Sequence, residues 1–215
     1  MIAKEELNIL WSLEQTAEKY EDRVAVSDVN QELTWKGLVK KAQVIGAELS
    51  KKVQPGNPIP VLLEKSSETL AVMLGIVYAG CFYVPVNPMN PAERLRKIME
   101  KLEPEVIISD EKGKEQLAAV GVGLEEKVIG PEILLPTTGM DLSEEQRSKL
   151  EQIQGQWKET DALYGIFTSG STGTPKAIVV SHGAVSRFVR HFTEIFEITS
   201  EDVIGNQAPF DFDVS

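Results

Sequence analysis

The stretch Thr168-Ser-Gly-Ser-Thr-Gly-Thr-Pro-Lys176 packs five hydroxyl side chains, two glycines and one lysine into nine residues. It lies between the apolar runs Leu163-Tyr-Gly-Ile-Phe167 and Ile178-Val-Val180. That composition suits a phosphate cradle: glycines let successive N–H groups point at one anion, hydroxyls add donors, and lysine supplies a compact positive charge. Charge-assisted bonds contribute roughly 1.5 to 3 kcal/mol each, so a few hold a polyphosphate. Composition alone equally fits a plain Ser/Thr/Gly hairpin. Three other loop chemistries are excluded. Gly165 and Gly170 have the Walker spacing, but Ser171 stands where lysine is required and a strand follows. Gly170 and Gly173 lack the first glycine pair of a dinucleotide fingerprint and precede no helix. A nucleophile elbow needs one residue between glycine and serine, and Gly170 directly precedes Ser171.

Other residues invite narrower readings. In Phe210-Asp-Phe-Asp-Val-Ser215 the alternation predicts a strand with Phe210, Phe212 and Val214 on one face and Asp211, Asp213 and Ser215 on the other. Asp213 on that second face suits a ligand ammonium, and a strand with one wet face accounts for the pattern equally well. His182 reads either as a surface histidine or as a residue near the mouth of a site, and His191 as a surface position on a helix. Cys81 reads as a small packed residue. Phe188, Phe192 and Phe196 have the i, i+4 spacing of core packing.

These residues need elements to position them. Glu5 to Tyr20 carries an imperfect helical stripe of Leu7, Leu10, Trp11 and Leu13, and Arg23 to Ser27 looks like a strand. Thr34 is a predicted N-cap for a helix with Leu38, Ala42, Ile45 and Leu49 on one side. Ile59 to Leu63 is a strand, Ser66 opens an apolar helix ending at Tyr78, Gly80 caps it, and Phe82 to Val86 is the next strand. Asn90-Pro-Ala-Glu93 has capping-box spacing before a helix to Leu102, which Pro104 stops. Val106 to Ser109 is a strand, Lys112 to Ala119 a helix, Val128-Ile129 a weak strand, and Gly130 to Glu144 a surface connection. Ser143 begins a polar helix to about Gln154, strands flank the hydroxyl-rich loop, and Ala184 to Phe196 is the last helix. The alternation predicts an α/β fold with a mostly parallel sheet flanked by helices.

Composition narrows the function. With 22 basic against 33 acidic residues the formal charge is -11, which disfavours nucleic acid and anionic membranes as partners. One cysteine and two histidines far apart provide neither a disulfide framework nor a structural zinc site, so no metal ligands are assigned. The acidic start Met1-Ile-Ala-Lys-Glu-Glu is unlike a secretory signal, and Gly75, Gly80 and Pro85 break the longest apolar stretch. The expectation is a soluble cytoplasmic protein.

Tyr164-Gly-Ile-Phe-Thr-Ser-Gly-Ser-Thr-Gly-Thr-Pro-Lys176 resembles the phosphate loop of the adenylate-forming enzymes, which include acyl-CoA synthetases and the adenylation domains of nonribosomal peptide synthetases. Leu33-Thr-Trp-Lys-Gly-Leu38 and Tyr78-Ala-Gly-Cys-Phe-Tyr-Val-Pro-Val86 resemble two further motifs of that family, in the same order. Asn206 to Ser215 is most similar to the amino-acid-activating branch, and within it to D-alanine carrier-protein ligases. The resemblance implies the N-terminal part of the large domain of the acyl-CoA synthetase-like fold. It implies that Thr168, Ser169, Gly170, Ser171, Thr172, Gly173 and Thr174 wrap the β and γ phosphates of ATP, with Lys176 anchoring the loop or pairing with phosphate. It also implies that Asp213 receives a substrate ammonium, that Mg2+ accompanies ATP, and that the acceptor is a carrier-protein phosphopantetheine thiol.

Two departures stand out. Ala177 replaces the family's usual glycine, which would cost about 1 to 2 kcal/mol and weaken ATP binding if that backbone were left-handed. The chain also stops inside the substrate motif. Residues 1–215 are therefore expected to be an N-terminal portion with a second subdomain begun, the catalytic lysine and C-terminal domain lying beyond Ser215. The implied function is amino acid activation, D-alanine being one candidate. An acyl-CoA synthetase and a non-catalytic nucleotide- or partner-binding module are the alternatives.

Overall fold

The computed structural model describes residues 5–121, 123–134, 141–168 and 175–212. Short polar side chains open most of its helices by accepting orphan backbone N–H groups. Asn8 caps α1 (Ile9–Lys19), Thr34 caps α2 (Trp35–Leu49) and Ser66 caps α3 (Ser67–Tyr78). At α4 (Ala92–Leu102) the expected capping box is not formed: Pro91 occupies the N-cap position and no side chain bonds the first turn. Asp110 caps α5 (Glu111–Val120), and a full capping box of Ser143 and Gln146 opens α6 (Glu144–Gln154). Ser181 caps α7 (His182–Ile195).

β1 (Val24–Ser27) and β2 (Glu32–Thr34) form a small antiparallel pair. The main sheet holds β3 (Pro58–Leu62), β4 (Phe82–Pro85), β5 (Ile107–Ser109), β6 (Val128–Ile129), β7 (Ala162–Thr168) and β8 (Lys176–Ser181) in the order β6-β5-β3-β4-β7-β8. Every pairing in it is parallel except β7 with β8. The expected α/β architecture is thus present.

Side chains of the central strands alternate between two cores, as a period of two requires. Ile59, Val61 and Ile108 pack with Leu38, Ile45 and Leu49 of α2 and with Val72 and Ile76 of α3. Leu62, Val84 and Ile107 pack on the opposite face with Leu95, Ile98 and Met99 of α4 and with Leu117 of α5. A third cluster of Leu10, Val77, Tyr78, Leu150 and Leu163 joins α1 and α6 to the outside of the first layer. Fully burying one such aliphatic side chain contributes roughly 1.5 to 3 kcal/mol, which conformational entropy largely offsets.

Besides the α4 cap, the sequence misleads in four places. Trp11, on the expected buried stripe of α1, is exposed. Within the expected surface connection, Pro131–Leu134 forms a 3-10 turn with Leu134 fully buried in the first core. Phe188 (65% exposed) and Phe196 (63%) are not core residues here; with Phe192 they stack on one another at 5.7 and 4.5 Å between ring centres. Residues 210–212 form a turn closed by Phe212 N–H donating to Pro209 O, so the expected alternating strand is absent there; Phe210 packs against the first core while Phe212 is exposed. Among the described residues no helix is long and apolar enough to cross a membrane.

Helices α2 and α3 approach backbone to backbone through Gly46 and Gly75. A Cβ on Gly46 would stand 2.5 Å from Tyr78 Cβ and 2.9 Å from the Gly75 carbonyl oxygen, and one on Gly75 would collide with Ile45. Gly46→Ala and Gly75→Ala are each expected to destabilise the chain by about 1 to 3 kcal/mol through overpacking. Urea unfolding checks this, with Gly205→Ala as the control, since a Cβ there meets nothing within 4 Å.

Candidate functional site

Parallel strands all end at one edge of the sheet, and at that edge β3 and β4 part company. The chain leaves β3 for α3 on the face of the first core and leaves β4 for α4 on the opposite face. Neighbouring strands whose connections run to opposite faces create a crevice outside their carboxyl ends, where open α/β sheets bind ligands. A cavity of about 180 Å³ lies there, lined by Val61 of β3, Leu63 and Lys65 after β3, Val86 and Asn87 after β4, and Phe210.

The hydroxyl-rich stretch belongs to the same edge. β7 runs parallel to β4 with Tyr83 beside Tyr164, so the carboxyl end of β7 stands level with Val86 and Asn87. Thr168 and Lys176 are the last pair of the β7–β8 ladder, so the hairpin of these two strands opens next to the crevice. Of the expected phosphate-loop residues, Thr168 and Lys176 are thus placed; Ser169, Gly170, Ser171, Thr172, Gly173 and Thr174 lie outside the described residues, as does Asp213. Ala177 sits in β8 opposite Phe167, and the non-glycine left-handed positions among the described residues are Glu103 and Glu197. The expected strain at Ala177 is absent, and with it the reason for weakened ATP binding.

The segment leading toward Asp213 is held by two cations that sequence reasoning passed over. Arg23 donates to the Glu201 carboxylate at 3.0 Å and to the Ser200 carbonyl at 3.0 Å. Lys65 donates to Asn206 O at 2.6 Å, Asn206 Oδ1 at 2.5 Å and Ala208 O at 2.6 Å, with its ammonium 5.5 Å from the centre of the Phe210 ring. All three donors of the ammonium are used, which spreads its charge over carbonyl dipoles. The sequence signal was a lysine just past the end of a buried strand, indistinguishable there from a solvated one.

His182 is neither a surface residue nor at the mouth of this site. It follows β8 at the end away from the hairpin opening, about 20 Å along a strand of that length, and is 3% exposed. Its ring meets Trp157 edge-on at 5.7 Å, and His182 Nδ1 and Trp157 Nε1 are both buried without a hydrogen bond among the described residues. Burial pushes its pKa from 6.5 down to about 4, against the pull of Asp161. His191 is exposed, as expected. Cys81 is buried with its thiol donating to Gln54 O at 3.2 Å, and burial pushes its pKa up to about 11. Among the described residues no three His, Cys, Asp or Glu stand together as metal ligands.

With this geometry in place, comparison with known proteins is decisive about kinship. Residues 13–215 match the AMP-binding enzyme family. The chain belongs to that family. It is 31% identical over 203 residues to tyrocidine synthase 1 of Brevibacillus parabrevis, covering 94% of this chain and 18% of that protein. It is 30% identical over 205 residues to bacitracin synthase 1 of Bacillus licheniformis, covering 93% of this chain and 4% of that protein. The AMP-binding chain therefore spans less than a fifth of these relatives. Among solved structures, VinN superposes with a TM-score of 0.78 at 22% identity, covering 99% of this chain and 52% of VinN. An AMPPNP-bound nonribosomal peptide synthetase, FmoA3, gives a TM-score of 0.78 at 23% identity, covering 96% of this chain and 21% of that one. The fold of the AMP-binding chain is that of adenylate-forming enzymes.

Two outcomes follow from the site. Lys65→Met is expected to raise amide hydrogen exchange in residues 206–211 about tenfold or more while leaving α3 protected, which exchange mass spectrometry reads. For His182 the folded pKa lies below the unfolded one, so its contribution is complete above pH 6.5 and is lost as the pH falls toward about 4. That loss is on the order of 3 kcal/mol. Chemical unfolding at several pH values checks it, and His182→Phe should flatten that slope.

Proposed function

We propose that this AMP-binding chain supplies the phosphate-binding part of an ATP-dependent ligase that activates an amino acid as its aminoacyl-adenylate. The observation that supports this reading is the position of Thr168 and Lys176, the two ends of the hydroxyl- and glycine-rich stretch, at the carboxyl edge of the parallel sheet, beside the crevice between β3 and β4. In this reading Thr168, Ser169, Gly170, Ser171, Thr172, Gly173 and Thr174 hold the β and γ phosphates, and Lys176 anchors the loop or pairs with phosphate. Asp213 pairs with the substrate ammonium. Residues 1–215 are the N-terminal portion of an AMP-binding domain with a second subdomain begun, and the catalytic lysine lies beyond Ser215.

The chemistry follows from charge. The substrate carboxylate attacks the α-phosphorus of ATP, forming an acyl–phosphate bond as the bond to the pyrophosphate oxygen breaks. Backbone N–H groups and hydroxyls held in place beforehand stabilise the departing pyrophosphate without reorganising. Mg2+ in this reading arrives with the phosphates, since that ion is usually held by one or two carboxylates plus substrate oxygens. A carrier-protein phosphopantetheine thiol then displaces AMP. An acid lacking the amine would leave Asp213 unpaired, which discriminates against it. Kinship to peptide synthases and solved complexes of VinN with L-aspartate and 3-methylaspartate support an amino acid substrate. D-Alanine is the candidate suggested by residues 206–215. A cytoplasmic setting suits the ATP requirement.

The test is exchange of labelled pyrophosphate into ATP by the gene product that carries these residues. Amino-acid-dependent exchange is expected, and Asp213→Asn should lower kcat/KM for the amino acid on the order of 100-fold with less effect on the KM for ATP. Absence of exchange with every amino acid overturns the reading, and coenzyme A consumption with an amine-free acid assigns the chain to acyl-CoA synthesis. The 215-residue polypeptide by itself is expected to show no complete turnover.

A further inference from the structure

Two cations of α4 bond the backbone at the two ends of the hairpin opening, and a third begins β8 there. Arg94 of α4 donates Nη2 to the carbonyl of Phe167, next to last in β7, at 3.1 Å. Lys101 of the same helix donates Nζ to the carbonyl of Pro175, just before β8, at 3.4 Å. Lys176 opens β8 itself. Arg94 and Lys101 lie two turns apart, about 10 Å along the axis, so one side of α4 spans both ends of the opening. The helix is anchored for this, because Leu95, Ile98 and Met99, on the stripe that these two cations flank, are buried in the second core.

The absence of carboxylate partners distinguishes these residues from their neighbours. None of the three is in an ion pair among the described residues, although the chain has 33 acidic side chains against 22 basic. On the same helix, Arg96 pairs with Glu93 and Glu100, and Lys97 with Glu93. A guanidinium has five N–H donors, and the Phe167 carbonyl takes one of those of Arg94 while neutralising none of its charge. Within the 168–176 stretch the hydroxyls and backbone amides offer dipoles, and Lys176 is its single charged residue. A pyrophosphate or triphosphate carries several negative charges, and one lysine together with the Mg2+ of the reading above leaves part of them unbalanced.

We propose that Arg94 and Lys101 complete the polyphosphate site: they hold the two ends of the loop through backbone carbonyls and, with Lys176, supply the positive charge that the pyrophosphate group requires. This inference rests on the phosphate-loop reading and adds two residues that the loop motif does not contain. Arginine suits the role because its fork can bond a carbonyl and a phosphate oxygen together, while lysine acts as a point charge.

Isothermal titration of inorganic pyrophosphate, and separately of ATP, into the chain over a range of salt concentrations tests it. Arg94→Met and Lys101→Met are each expected to weaken pyrophosphate binding roughly five- to tenfold and to flatten the dependence of affinity on salt. Arg94→Lys and Lys101→Arg, which keep the charge, should recover most of the affinity. Arg96→Met, whose guanidinium is already taken by carboxylates, should change nothing. Lys101 is exposed, so Lys101→Met carries the test should Arg94→Met fail to fold. Wild-type affinity and salt dependence in both Met variants overturns the inference and leaves the phosphate loop standing. Failure of the unaltered chain to bind either ligand at millimolar concentration overturns both.

Discussion

The chain leaves β3 toward one face of the sheet and β4 toward the other, and everything at the candidate site depends on that divergence. Hydrogen bonding keeps the two strands adjacent up to Val61 and Pro85. Beyond that point α3 and α4 recede to opposite cores, so neither fills the space between the strand ends. The residues that reach into it are those the sheet cannot avoid placing there: the first residues after β3 and β4, and a returning segment that lays Phe210 against the rim. That segment has no regular structure of its own between residues 202 and 207. Its backbone carbonyls therefore need donors from elsewhere, and Lys65 satisfies two of them together with the Asn206 side chain.

Helix α4 shows how one element can serve packing and chemistry without conflict. Its apolar stripe is locked into the second core, and the side chains that flank the stripe reach the ends of the β7–β8 opening. The helix starts beside β7, because it leaves β4, the neighbour of β7, before crossing β3 to reach β5. Two of its cations still reach the carbonyls of Phe167 and Pro175. Nothing local at Arg94 signals this, since Arg94 and Arg96 stand two residues apart in a run of charged side chains. Their different fates, carbonyl for one and carboxylates for the other, are decided by a strand some seventy residues downstream.

What was legible in the sequence was what local physics decides. Thr34 and Ser66 cap their helices because a hydroxyl one residue before an apolar repeat has a backbone N–H within reach whatever surrounds it. The strands at Ile59, Phe82 and Ile107 were visible because residues buried on both faces leave little room for polar substitution. Asn90 failed because Pro91, already extended, takes the cap position itself. Phe188, Phe192 and Phe196 failed for a different reason: periodicity shows that a helix has an apolar stripe but not what covers it, and within these residues they have mainly one another. Phe210 and Phe212 alternate like a strand, but the Pro209 carbonyl captures the Phe212 amide in a turn and splits them between core and solvent. At the site, the expectation for residues 168–176 came from composition and resemblance, while Lys65, Arg94 and Lys101 carried no signal, because their partners are backbone carbonyls distant in sequence.

Net charge and local charge lead to different conclusions about ligands, and the local value governs. A formal charge of -11 repels polyanions at a distance. That field is screened over about 8 to 10 Å at ordinary ionic strength, so it argues against extended contact with a nucleic acid or an anionic membrane. It says little about a compact anion already within a crevice. Most exposed carboxylates near lysines and arginines here are engaged in pairs that cancel within a few ångströms, as Glu93 and Glu100 do with Arg96. At the proposed polyphosphate site the uncancelled remainder is positive: Arg94, Lys101 and Lys176 have no carboxylate bound among the described residues. An acidic chain can thus hold a polyphosphate if its cations are left unpaired at one point, and the parallel sheet determines where that point is.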